Sequence, residues 1–306
     1  KGVSLFIIPK HRPVADGELE YNDVFFAGDY QKLEQRAYAT THLVFGEQDD
    51  CRGWMVGEPN KGLSYMFQMM NEARLGVGMN AVAIATAAFC ASLEYATERP
   101  QGRKISDKDI TKPQIPIIEH ADVKRMLLFQ KSVVEGSLSL ILQCSKYADL
   151  AQVTEAEEKE EYELLLDLLT PIAKSYPSEM GCLSTSAAVQ ILGGAGYTTD
   201  FPVEQYYREA RIHPIHEGTT GIHGLDLLGR KVAIKNGKAM QLFNVELSET
   251  ISKSITYDIL KPFAKKLQKY QMKIGEVTSS LFEIAKTDTE AYIADATLYL
   301  EMAGIL

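Results

Sequence analysis

Residues 213–220 (HPIHEGTT) bring together histidine, glutamate and threonine side chains that could do acid–base chemistry. Pro214 cannot continue a helix, and apolar residues at helical spacing resume after Thr220. Glu217 is therefore expected on a short connection before a helix, with Thr219 or Thr220 as its N-cap. A carboxylate in this position can face a cavity while neighbouring backbone N–H groups stay free to donate. Alternatively, Glu217 only stabilises the helix by interacting with the positive end of the helix dipole.

Two arginines lie near opposite ends of a long predicted helix. Arg74 and Arg99 are 25 positions apart, about seven helical turns, so they fall on roughly the same face. Arg99 is followed by Gln101 and Gly102, and an arginine in this context could clamp a phosphate. Alternatively, Arg99 is a surface residue that only stabilises the helix by interacting with the negative end of its dipole.

Glycines near residue 194 could lie close to a cofactor. Gly194-Ala195-Gly196 resembles the start of a dinucleotide-binding fingerprint, but it follows a predicted helix and lacks the third glycine. The sequence therefore excludes a Rossmann site. A glycine pair that ends a helix either caps the helix or lets the backbone approach a cofactor closely.

Three histidines near Glu217 raise the question of a metal site. The H-E-x-x-H motif fails, because His216-Glu217 has no histidine at position 220. Neither a cysteine nor a second carboxylate has ligand spacing here. No metal is predicted, and His213, His216 and His223 are interpreted as polar loop residues.

Composition limits the classes of protein to consider. The chain has 306 residues, 45% of them hydrophobic, and a net charge of −9, which disfavours nucleic acid as the main partner. Its four cysteines are far apart and form no C-x-x-C motif, which is typical of a reduced, cytoplasmic protein. No apolar run reaches the roughly 18 residues of a membrane span, so none is predicted.

The predicted elements change from strands to helices near residue 60. Short apolar runs at 3–9, 38–45 and 53–57 predict strands, too few for an independent sheet. The chain opens directly into a strand, which suggests a piece of a longer protein. Helical periodicity then predicts a bundle of about five helices and an all-helical tail. The predicted helices cover residues 62–99, 117–148, 164–174, 179–192, 202–211, 219–234, 241–270, 273–286 and 288–303. Gly76 and Gly78 predict close approach of a ligand or helix.

Several motifs now stand in one order along the chain. Residues 190–197 (QILGGAGY), 201–204 (FPVE), 208–211 (REAR) and 216–219 (HEGT) form a pattern that resembles the C-terminal signature of the flavin-dependent acyl-CoA dehydrogenases. Residues 1–10, 53–62, 69–74, 95–102 and 118–120 resemble earlier parts of the same family. The long polar loop after Gly102 and the helical tail resemble the larger subgroup that includes 3-methylmercaptopropionyl-CoA dehydrogenase and long-chain bacterial enzymes.

The resemblance implies a mainly α fold in three parts. Residues 1–57 would be the C-terminal part of a middle β-barrel domain, residues 58–235 the helical bundle, and residues 236–306 an additional helical extension, itself truncated. Such a piece lacks the flavin-ring contacts that precede residue 1 in the family, so we expect it to be folded but inactive alone.

The resemblance also implies a reaction and its residues. In the family a glutamate removes the proton α to the carbonyl of an acyl-CoA thioester while a β-hydrogen leaves as hydride to flavin N5. The base would be Glu217, whose N–H would help hold the thioester oxygen, and Gly218 would leave room for the acyl chain. Asn71 and Arg74 would line the substrate side. Some relatives place the base just before the arginine that matches Arg74, where this chain has Ala73.

FAD is the implied cofactor, with electron-transferring flavoprotein as the acceptor in fatty acid metabolism. The residues that the resemblance assigns to FAD, several of them toward a neighbouring subunit of a homodimer, are Arg99, Gln101, His120, Gln190, Gly193, Gly194 and Thr219. Two other functions remain open: an acyl-CoA oxidase on the same fold, and a non-catalytic helical or DNA-associated relative. The acyl chain length stays undetermined.

Overall fold

The computed structural model describes residues 2–106 and 109–306, with the side chains of all of these except residues 67 and 68. The chain divides into two compact units, Lys1–Ala73 and Arg74–Leu306. The predicted fold class is confirmed, because the described chain is mainly helical and its strands precede its helices. The finer division at residues 57 and 235 stays a prediction.

The first unit contains short antiparallel strand pairs. β1 pairs with β6, β2 with β3, and β4 with β5. The strands are β1 (Leu5–Ile7), β2 (His11–Pro13), β3 (Leu19–Tyr21), β4 (Val24–Asp29), β5 (Thr41–Phe45) and β6 (Trp54–Val56). The sequence predicted β1, β5 and β6 but missed the others. β2 and β3 are only three residues long and contain charged side chains, so their apolar signal is weak. β4 begins with the apolar residues 24–27, which the prediction overlooked, and is interrupted by a bulge between Phe26 and Gly28.

Three long helices build the second unit. They are α1 (Gly62–Glu98), whose first residues belong to the first unit, α2 (Ala121–Val153) and α3 (Ala156–Leu192). A two-residue connection makes α2 and α3 an antiparallel pair. By length and composition α1 is apolar enough to cross a membrane, with a mean hydropathy of 1.6 over its most apolar window. Its Ala81, Val82, Ala85 and Ala88 are buried in the unit, as in a core helix.

The predicted break of α3 near Pro177 is wrong, because the helix runs unbroken through Pro171 and Pro177. Pro177 lacks the N–H that would bond to the Ala173 carbonyl. Gly78 of α1 lies against that carbonyl, where a Cβ at Gly78 would come within 2.2 Å of the oxygen. The expected close approach is confirmed at Gly78, whereas a Cβ at Gly76 would meet open space. α1 and α3 therefore pack closely at the point where α3 lacks this hydrogen bond.

The shorter helices depart from the prediction at several places. α4 (Val203–Ala210) agrees, and α5 (Thr220–Asp226) begins as expected but continues into a π-helical turn at Leu227–Lys231. Residues 235–237 have positive φ and redirect the chain near the start of α6 (Ile234–Ser254). The single helix predicted over 241–270 is wrong, because the chain turns at 255–260 before Pro262 in the first turn of α7 (Lys261–Ala285). The helix predicted over 288–303 is α8 (Thr289–Ala294) followed by α9 (Ala296–Ile305).

The core of the second unit has two parts. One part joins the tail to the bundle, since Tyr299 and Leu300 of α9 are buried in the same cluster as Leu168 of α3 and Leu227 of the π-helical turn. The other lies between the C-terminal halves of α1 and α3 and the start of α2, around Ala88, Met126 and Ile191. The ends of α1 and α3 are thereby held side by side.

Candidate active site and cofactor cleft

A cleft of about 640 Å³ opens where α1 and α3 end and α2 begins. Six residues predicted to contact FAD line it together: Arg99, Gln101, His120, Gln190, Gly193 and Gly194. Residues from three separate helix ends meet here because the core beneath them packs those ends together.

Backbone hydrogen bonds give the Arg99 side of the cleft its shape. The Gln101 N–H donates to the Ile115 carbonyl at 2.9 Å, and the Ile117 N–H donates to the Arg99 carbonyl at 2.8 Å. His120 Nε2–H then donates to the Gln101 carbonyl at 2.8 Å. The imidazole is therefore tied to the backbone, while the Arg99 guanidinium is exposed at the edge of the cleft.

The glycine side of the cleft ends α3. Gly193 is the C-cap residue, with φ 60° and ψ −135°, a conformation that favours glycine. A Cβ at Gly193 or Gly194 would meet no atom within 4 Å, so the backbone faces open space. The helix cap is therefore observed at Gly193, while close approach of a cofactor to this open backbone stays a prediction.

The turn that carries Glu217 is the second group of predicted residues. Glu217 and Gly218 have φ of 55° and 99°, and Thr219 is the N-cap of α5 without a side-chain cap bond. A Cβ at Gly218 would come within 2.9 Å of His223 Nε2, so both the backbone and the space require glycine. None of the described residues accepts a hydrogen bond from the Glu217 N–H. A half-buried carboxylate thus lies beside a free donor.

Three side chains hold this turn, and sequence analysis identified none of them in this role. Lys174 Nζ donates to the Gly218 carbonyl at 2.6 Å, and His223 Nε2–H donates to the Glu217 carbonyl at 3.1 Å. The Thr220 hydroxyl donates to Glu179. Lys174 and Glu179 both lie on α3. The sequence signal that could have identified them is a charged residue inside an otherwise apolar helical run.

Arg74, predicted to line the substrate side, is buried near the same turn. Its Nη1 lies 3.7 Å from Asp226 Oδ2, and its Nε has no partner among the described residues. Asp226 also pairs with Arg230 at 2.7 Å. Asn71 lies three residues earlier on α1, half-buried and in the first unit.

Burial sets the charge states around Glu217. Burial, reinforced by Arg74 and opposed by the carboxylates of Glu179 and Glu217, lowers the pKa of Lys174 to about 8. Burial and the nearby Lys174 and Arg74 cations lower the pKa of His223 to about 4. At neutral pH the lysine is therefore mostly an ammonium and the histidine is a neutral imidazole.

The loop histidines do not form a metal site with their neighbours in the described part of the chain, where no group of three ligating side chains could hold an ion. His213 and His216 contact edge to face, with ring centroids 5.5 Å apart. Burial lowers the pKa of both. His213 Nδ1–H donates to the Ala210 carbonyl at 3.1 Å, so this ring has a structural hydrogen bond.

The cleft and the Glu217 turn lie far apart along α3. Lys174 contacts the turn and Gln190 lines the cleft, and the sixteen helical steps from one to the other on a continuous helix span about 24 Å. Thr219, predicted to contact FAD, lies in the turn and not in the cleft. Apart from Asn71, the predicted residues thus form two groups. One is Glu217 with Gly218, Thr219 and Arg74, and the other is the six residues of the cleft.

A family model covers the part of the chain that contains both groups of residues. The model of the acyl-CoA dehydrogenase C-terminal domain matches residues 60–232, more than half of the chain and all of the cleft and turn. The chain belongs to the acyl-CoA dehydrogenase family. The resemblance drawn from the sequence motifs is therefore confirmed, and members of this family use FAD.

Individual members of the family are similar over most of the chain. 3-Methylmercaptopropionyl-CoA dehydrogenase of Ruegeria pomeroyi is 38% identical over 82% of this chain and 42% of its own length. The broad-specificity linear acyl-CoA dehydrogenase FadE5 of Mycobacterium tuberculosis is 32% identical over 95% of this chain and 49% of its own length. The chain thus spans less than half the length of these relatives.

A solved structure shows the same fold. Caenorhabditis elegans ACDH-11, determined in complex with C11-CoA, superposes with a TM-score of 0.76 over 99% of this chain and 48% of its own. At 18% identity this likeness concerns the fold. It includes the tail helices, which lie beyond the matched family domain.

Proposed function

We propose that the protein dehydrogenates an acyl-CoA thioester between its α and β carbons, with Glu217 as the base that removes the α-proton. The observation that carries this proposal is the Glu217 turn, in which a carboxylate and a free N–H lie together on a backbone held at two successive carbonyls. Membership of the family supports it.

Glu217 suits a proton-abstracting role for physical reasons. Its positive φ turns the residue out of the path of α5, and the buried Lys174 and Arg74 supply positive charge nearby. Because the carboxylate is already fixed, its side chain need not lose conformational freedom before it removes the proton. The Glu217 N–H, having no acceptor among the described residues, can donate to the thioester oxygen, where negative charge develops.

The cleft suits part of a dinucleotide cofactor. The Arg99 guanidinium can bind a pyrophosphate, and the accessible backbone at Gly193 and Gly194 admits a ligand that side chains would block. Gln101 and His120 would line the same cofactor. Bound FAD supplies the acceptor for the β-hydride. The family's use of FAD and the residues present are therefore in agreement.

A Glu217→Gln variant of the whole protein tests the base. We expect acyl-CoA to bind with nearly unchanged affinity, because the amide keeps the size of the side chain, while anaerobic bleaching of the flavin by substrate is nearly abolished. Glu94→Gln, on the exposed surface of α1, is the matched control and should bleach normally. Near-normal bleaching of Glu217→Gln would refute the assignment, and Glu72→Gln would then test the next carboxylate.

The electron acceptor and the assembly belong to the same proposal. We propose electron-transferring flavoprotein as the electron acceptor. The competing oxidase function predicts that oxygen is consumed at a rate comparable to the reduction of this flavoprotein, so the two rates are measured side by side.

We also propose a homo-oligomer, because the resemblance assigns several cleft residues to the FAD of a neighbouring subunit. The separation of about 24 Å between the cleft and the Glu217 turn along α3 supports this proposal. Light scattering of the purified protein should then give at least twice the mass of one chain.

A further inference from the structure

Lys174 has no assigned role, yet it is the largest fully buried side chain of the described residues. It lies in the middle of α3, between Pro171 and Pro177. Burying an ammonium costs several kcal/mol unless charges and hydrogen bonds compensate. Among the described residues, its Nζ donates one hydrogen bond, to the Gly218 carbonyl at 2.6 Å. The charge is therefore kept where it contacts the Glu217 turn.

A second buried lysine allows a direct comparison. Lys231, in the π-helical turn after α5, pairs with Asp167 of α3. Lys174 differs, because no described carboxylate oxygen forms an ion pair with its Nζ, which contacts a backbone carbonyl instead. An ion pair that stabilises the fold accounts for Lys231. It does not account for Lys174.

The groups around Lys174 come from every element packed near it. Those that influence its charge, or whose charge it influences, are Arg74 of α1, Glu179 of α3, His213, His216 and Glu217 of the connection, and His223 of α5. Its cation is thus near the proposed base and lies among histidines that burial keeps neutral. Arg74 lies 3.7 Å from Asp226 and forms no hydrogen bond to the turn among the described residues, so Lys174 is the cation that contacts the turn itself.

We propose that Lys174 is a positioning residue for Glu217, which holds the Gly218 carbonyl and places a positive charge beside the carboxylate. This inference rests on the proposed function of Glu217. Two successive residues with positive φ form a turn that a non-glycine residue does not favour. Lys174 and His223 hold its two carbonyls, so the carboxylate stays directed at one place. The base then needs no rearrangement when substrate arrives.

Hydrogen exchange tests the positioning without any substrate. Lys174→Met removes the donor and the charge but keeps most of the volume, and Lys231→Met is the matched control with an equally buried lysine. In the whole protein we expect amides of residues 213–222 to exchange about tenfold faster in Lys174→Met, the change that one lost charged hydrogen bond allows. Lys231→Met should leave these amides as in wild type.

Kinetics separates positioning from a general loss of stability. In Lys174→Met we expect kcat to fall about ten- to hundredfold with KM little changed, because the loss of one charged hydrogen bond affects the base and not substrate binding. The acidic limb of kcat/KM should move to higher pH, since a carboxylate without its neighbouring cation holds a proton more readily. Lys174→Arg restores the charge and should return the limb toward wild type.

Each outcome decides the question. Unchanged exchange and an unchanged acidic limb in Lys174→Met, or the same shifts in Lys231→Met, would overturn the proposal. If Lys174→Met does not fold, Lys174→Gln, which keeps an N–H donor without the charge, takes its place, and an unmoved limb again overturns it. A wild-type protein that oxidises no acyl-CoA would refute the proposed function, whereas the exchange result would still show whether Lys174 holds the turn.

Discussion

Replacing Gly218 with alanine should both destabilise the protein and disable the turn that carries Glu217. Gly218 has φ 99°, and a Cβ there would lie 2.9 Å from His223 Nε2. Strain of this kind costs about 1–3 kcal/mol. The fully buried imidazole cannot move aside without losing its hydrogen bond to the Glu217 carbonyl, which is worth about 1 kcal/mol. We therefore expect the free energy of unfolding to fall by about 2–4 kcal/mol.

Urea denaturation of the whole protein, followed by circular dichroism, measures this change. Gly136→Ala is the matched control, because Gly136 lies inside α2 where a Cβ meets nothing within 4 Å. That variant should gain about 0.5–1 kcal/mol from the lower flexibility of alanine in the unfolded chain. A Gly218→Ala protein as stable as wild type, with unchanged substrate turnover, would refute the reasoning, since the turn would then tolerate a side chain.

Two further substitutions test the cleft and the buried histidine. Arg99→Ala should weaken FAD binding by about one to two decades, the usual effect of losing a charged hydrogen bond. The control Arg125→Ala, on the exposed face of α2, should leave FAD binding unchanged. FAD is titrated into each apoprotein, and equal affinities of Arg99→Ala and wild type would contradict a phosphate contact. His223 has its pKa lowered from 6.5 to about 4, so its stabilising contribution is complete above pH 6.5 and is lost as the pH falls toward 4, by up to about 3 kcal/mol. His223→Gln should flatten this loss in urea titrations at several pH values, and an identical slope would show that other groups cause it.

Local sequence patterns determined most of the helical architecture. The spacing of apolar residues predicted α1 to within a residue or two at each end, because a helix of that length repeats its signal over many turns. The connection at Glu217 was predicted from Pro214 and the resumed periodicity, both of which act within a few residues. Motif order along the chain also named the six residues that meet in the cleft.

Some boundaries depended on contacts that no local pattern contains. Pro177 should end a helix by its local effect, but Gly78 packs against the carbonyl that Pro177 leaves without a donor, and α3 continues. The reverse happened at residues 255–260, where apolar spacing suggested continuity and the chain turned into α7 to pack along α6. Tertiary packing outweighs local preference in both places, since each preference is worth only a few kcal/mol.

The sequence by itself was enough to predict a base and a set of cofactor-binding residues, because those motifs are short and contiguous. Only the tertiary structure decided what holds the base in place. Lys174 is separated from Gly218 by 44 residues, and nothing in the spacing indicates that its ammonium reaches that carbonyl. The contact exists because α3 and the connection before α5 pack together, which buries the lysine and leaves the Gly218 carbonyl as its hydrogen-bond acceptor.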